Sequence, residues 1–87
     1  MENEDELKVV VLDNNIDIKT IRGVKLVRVK SSKYNLLIMK GYLPVIGFVD
    51  GSVTIESHNT ITYENIRAIF SNSHNVFYLI IKDKGYV

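Results

Sequence analysis

The chain has no cysteine. That excludes a disulfide framework, thiolate metal ligands and a cysteine nucleophile, and it fits a reducing compartment. Proline occurs once, at Pro44, and the five glycines are too scattered to form a phosphate-cradling loop. No apolar run approaches the roughly 18 residues that suggest a membrane span. The opening Met1-Glu2-Asn3-Glu4-Asp5-Glu6 lacks the basic and apolar regions of a signal peptide. A cytoplasmic location is therefore expected. The net charge of +1 is too small to argue for a general polyanion binder.

What remains is a globular composition. Hydrophobic residues make up 46% of the chain and charged residues 24%, which separates it from disordered sequences. Eighty-seven residues predict one domain, 1–87, with a single modest core.

The local patterns read as strands. Leu7 to Leu12 is the first, and its three consecutive valines suggest burial on both faces or a covered edge. Asp13-Asn14-Asn15 is a predicted turn, followed by alternation from Ile16 to Lys19 and a second turn at Arg22-Gly23. Val24 to Lys30 changes parity near Leu26 and Val27, as a bulge would make it do. Ser31-Ser32-Lys33 is a loop, and Tyr34 to Met39 is a strand that Lys40-Gly41 ends. Asp50-Gly51, between the apolar segments Val45–Val49 and Val53–Ile55, predicts a two-residue hairpin. Pro44 marks where its first strand begins, and Gly41 and Gly47 suggest tight bends or a close backbone approach. Ser57-His58-Asn59 is a turn, and Thr60 to Tyr63 alternates. The segment 63–70 fits a helix or a strand, with strand favoured by its neighbours. A polar turn at Ser71-Asn72-Ser73-His74 precedes the last strand, Asn75 to Lys82. The sum is all-β, with about eight or nine short, mostly antiparallel strands in a small two-sheet sandwich, or a barrel-like variant.

Little in the residues speaks for catalysis. His58 and His74 fall in predicted turns without the further ligands that zinc requires. No serine lies in a nucleophile elbow, and Asp13 and Asp17 show no sign of a catalytic carboxylate pair. No enzymatic activity, metal or cofactor is expected. The charge pattern says more. Lys19, Arg22, Lys25, Arg28, Lys30, Lys33 and Lys40 lie between Ile18 and Val49 with no acidic residue among them. Arg22, Lys25, Arg28, Lys30 and Lys33 form a candidate basic face for a phosphate backbone or an acidic partner. The plainer reading is a solvated outer sheet face protected by lysines. Only Tyr34 and Tyr42 are near enough to stack on bases, so a nucleic-acid-binding barrel is the alternative, not the first choice.

The stretch from Leu36 to Gly47 resembles the N-terminal β-sandwich domain of the F-type ATP synthase epsilon subunit, which typically reads G-x-L-G-I-L-P-G-H-A-P-L there. Ile38, Gly41, Pro44 and Val45 fall on that pattern's Ile, Gly, Pro and Leu, while Tyr42 and Leu43 replace its His and Ala. Val27 and Val29, with Gly23 upstream, resemble the V-x-V end of the family's G-x-V-x-x-V-x-V segment, and Asn75 to Leu79 resembles its closing strand. Asp50-Gly51 with Val53 and Ile55 resembles the hairpin that follows the motif. The family's Ser-Gly-Gly and its C-terminal helical hairpin have no counterpart in the chain. The resemblance implies a stand-alone, truncated relative acting as a non-catalytic protein–protein interaction module. Its implied partners are rotor-type subunits of an ATP synthase, and homo-oligomerisation stays open. The implied contact loop is Lys40, Gly41 and Tyr42, with Tyr42 as the aromatic anchor.

Overall fold

The computed structural model describes residues 6–13 and 17–84. Along the chain run β1 (Leu7–Asp13), β2 (Asp17–Val24), β3 (Leu26–Ser31), β4 (Asn35–Ile38), β5 (Val45–Glu56), β6 (Thr60–Ser73) and β7 (Val76–Lys84). They form one mixed sheet in the order β2-β1-β7-β6-β5-β3-β4. β1 and β7 are parallel, and every other neighbouring pair is antiparallel. The fold is all-β, but the expected eight or nine strands in two sheets are seven strands in one.

The count falls because predicted strands merge. Asp50-Gly51 is no hairpin: both residues lie inside β5, with Asp50 opposite Arg67 and Gly51 opposite Ile66. Tyr63 to Phe70 is strand, and it joins Thr60–Tyr63 in the 14-residue β6. Arg22-Gly23 lies inside β2, where Gly23 takes a φ of 62° beside a ladder irregularity between Leu7 and Val9. The β1–β2 connection, 14–16, lies outside the described residues. Of the predicted turn 71–74, only His74 is in a turn. The two-residue hairpin loop is His74-Asn75, with Ser73 paired to Val76 and φ values of 51° and 63°. Positive φ at both loop positions matches the right-handed twist of the strands, and Asn tolerates it.

The single sheet must roll. β2 and β3 stand first and sixth in the order, yet only Lys25 separates them in the chain. In a flat sheet five strand spacings would part them by roughly 24 Å, whereas two residues span at most about 7 Å. Rolling brings both ends of the ladder onto one core. Leu7, Val9 and Val11 of β1, Phe77, Leu79 and Ile81 of β7, and Val27 and Val29 of β3 share one buried cluster, with Phe70 stacked on Phe77 at 5.7 Å.

Two devices bend the long strands. Between the pairs Gly51–Ile66 and Val53–Tyr63, β6 carries one more residue than β5. This bulge contains Asn65 at a φ of 56°, and it moves the buried set of β6 onto Ile66, Ala68 and Phe70. On β5, a Cβ at Gly51 would sit 2.1 Å from the Lys30 carbonyl oxygen, so only glycine lets β3 approach there. Gly47 is needed for a different neighbour, because a Cβ there would come within 2.7 Å of the Phe70 ring.

Candidate docking face

Rolling gives the sheet one inner face and one outer face. The outer face is not uniform. Phe48 of β5 pairs with Ile69 of β6, Ile69 with Ile80 of β7, Ile80 with Leu12 of β1, and Leu12 with Ile18 of β2. Register partners share a face, and their neighbours Val49, Ala68, Leu79 and Val11 are buried inward, so this row points outward. It crosses five strands without a polar residue. A second row beside it runs Ile46, Ser71, Tyr78, Val10 and Thr20. Ile46 is 78% exposed, Ile18 72% and Phe48 50%. The next outward pair along the same two strands, Asp50 with Arg67, flanks these rows with charges of both signs.

These residues were missed as a site, although the signal was present. The apolar run in Leu7–Leu12 suggests burial on both faces or a covered edge, and Val76–Ile81 is just as unbroken. Among the described residues the structure buries one face and leaves the other half-buried or exposed.

The predicted contact loop lies between β4 and β5. Gly41, at a φ of 85°, donates its N–H to Asn75 Oδ1 at 2.8 Å, and the Tyr42 N–H donates to the Met39 carbonyl at 3.0 Å. Asn75 thus ties this loop to the β6–β7 turn, and its own carbonyl accepts from the Lys8 N–H at 2.9 Å. Lys40 is exposed, but Tyr42 is half-buried and packs against the core. The exposed apolar side chains of the loop are Leu43 and, less so, Met39.

The basic residues divide. Arg28 and Lys30 project outward from β3, between buried Val27 and Val29. With Asn35, Leu36 and Leu37 they line a shallow cleft of about 340 Å³. Lys33 sits in the β3–β4 loop, Lys25 at the β2–β3 break, and Arg22 on β2 at the other end of the strand order. Arg28 pairs with Leu37 and Thr54, and Lys30 with Asn35 and Ser52, so no aromatic ring stands opposite either. His58 lies in the β5–β6 turn; His74 Nδ1 is 2.9 Å from Ser73 Oγ. Among the described residues no three His, Asp or Glu side chains come together to hold a metal, and no helix is long and apolar enough to cross a membrane.

The free side of β5 lines a groove of about 630 Å³, where β3 has turned away. Tyr34, Leu36, Val45 and Phe70 form its apolar wall. The Tyr34 hydroxyl donates to the Phe48 carbonyl, and the Asp50 N–H donates to Ser31 Oγ at 3.2 Å. These two bonds satisfy part of the strand edge that a further strand would otherwise pair with.

A scan against protein-family models finds no match, and a search of curated proteins finds no similar sequence.

Proposed function

We propose that this chain is a non-catalytic protein-association domain that docks through the outer face of β5, β6, β7, β1 and β2. The observation behind it is the apolar row Phe48–Ile69–Ile80–Leu12–Ile18, which nothing in the described chain covers. Contiguous apolar patches above a few hundred Å² are rare on monomers and mark interaction surfaces. Water-facing sheet positions ordinarily carry polar side chains.

The resemblance to the epsilon-subunit sandwich points the same way, since that domain connects rotor subunits without catalysis. On that reading the rolled sheet corresponds to two facing layers, the partners are rotor-type subunits, and the chain works in the cytoplasm. One part of the resemblance finds no counterpart, because the expected hairpin at Asp50-Gly51 is continuous strand. In the loop, Leu43 takes over from Tyr42 as the apolar contact, with Lys40 beside it. The alternative of nucleic-acid binding rests on Arg28, Lys30 and Lys33. It would give salt-sensitive contact to phosphates and little base readout.

Site-specific photo-crosslinking in cells tests the proposal. A photoreactive phenylalanine analogue in place of Phe48 is expected to give a discrete adduct. The same group in place of Arg28, on the polar half, is expected to give none. Equal crosslinking at both positions, or none at either, would overturn the association reading.

A further inference from the structure

We propose that the occupant of this face is a second copy of the chain, with the two sheets meeting face to face about a two-fold axis along β7. The inference rests on the association reading above and names its partner.

Three observations select an identical partner. The first is area. Ile18, Ile46, Phe48, Ile69, Tyr78 and Ile80 expose between 37% and 78% of their surfaces. At roughly 200 Å² for each large side chain, they present roughly 650 Å². A standard interface takes about 800 Å² from each side, which half-buried Val10, Leu12 and the rim complete.

The second is charge. The two rows contain no Asp, Glu, Lys or Arg, so a polyanion or a strongly charged protein gains nothing on them. A net charge of +1 leaves two copies with almost no mutual repulsion.

The third is self-complementarity. A two-fold rotation about β7 exchanges β6 with β1 and β5 with β2, by their order in the sheet. It lays Phe48 over the partner's Ile18 and Ile69 over the partner's Leu12, and brings Ile80 beside its own copy. Every contact in that row is apolar on apolar, and isologous packing of this kind closes at the dimer.

The test is mass in solution, by light scattering after size exclusion, from about 1 to about 100 µM. The expected result is twice the chain mass, with Ile80→Lys weakening the dimer at least tenfold. Because Ile80 is partly exposed, its thermal melt below the dimerisation range should match that of the parent chain. A chain without cysteine permits a second readout. Ile80→Cys should be joined to its copy by a short bismaleimide, and Leu43→Cys, off the face, should not. A chain that stays monomeric at about 100 µM, or equal joining through both cysteines, overturns the second-copy proposal. In that event a Phe48 photo-adduct of any other mass leaves the association reading standing. Absence of any adduct removes both.

Discussion

β5 and β6 run through both halves of the rolled sheet, and their water-facing side chains change character on the way. Before the Asp50–Gly51 bend, β5 points Ile46 and Phe48 outward; after it, Ser52 and Thr54. β6 shows the change only in part. Thr60, Thr62 and Glu64 precede the bulge at Asn65, and Arg67, Ile69 and Ser71 face outward after it, with Ile69 the apolar one of the three. Beside the polar segments lies β3 with outward Arg28 and Lys30; beside the apolar ones lie β7 and β1. Inward, both halves bury the same kinds of residue. Strand formation alone does not require the difference, because Thr and Ile both suit a strand. On the proposed reading the more polar half faces water, and the half that carries the apolar row faces a partner.

The comparison can be broken from the inside first. Phe70→Ala removes a ring shared with Phe77 in the common core, and is expected to cost about 3–5 kcal/mol in chemical denaturation. Phe48→Ala, on the outer apolar face, should cost under about 1 kcal/mol in the monomer. Equal losses would mean that Phe48 is structural and the outer face is not a free surface.

The junction between the halves comes next. Gly51→Ala places a Cβ against the Lys30 backbone, and overpacking of this kind costs about 2–3 kcal/mol. An unchanged denaturation midpoint would show that β3 does not approach β5 as described.

Smaller effects sharpen the account of the loop. Tyr42→Ala should lower stability by about 1–2 kcal/mol through lost packing, while Leu43→Ala stays within about 0.5 kcal/mol. The reverse order in thermal melts would restore Tyr42 as the exposed anchor. Asn72 is buried with its Oδ1 unpaired, so Asn72→Leu should be neutral or stabilising by up to about 1 kcal/mol. A clear destabilisation would reveal a partner for that oxygen.

Much of the fold was legible. Alternation and β-branched content located the β1, β3, β4 and β7 segments, and the turn at Ser57-His58-Asn59. Asp50-Gly51 misled because a strong local turn signal outweighed the parity around it. Val45, Val49, Val53 and Ile55 keep one parity straight through the dipeptide. A two-residue hairpin would have placed Val49 and Val53 on opposite faces, whereas a continuous strand buries both. The close approach of Lys30 to Gly51 depends on long-range pairing, so no local pattern announces it. The packing of Tyr42 against the core was not legible for a related reason, since that core is assembled from distant strands. The docking face was half legible. Runs such as Val76–Ile81 announced two apolar faces, but which one the chain covers depends on the strand order. That order joins the first strand to the last.

The most direct test of the central claim is hydroxyl-radical footprinting of Phe48 and Tyr78 in intact cells. The reference is the purified protein diluted to about 10 nM, far below micromolar association. Leu37, exposed on the polar half, serves as the internal control. The account predicts strong protection of Phe48 and Tyr78 in cells, with Leu37 labelled equally in both settings. Equal labelling of all three residues in both settings would contradict it.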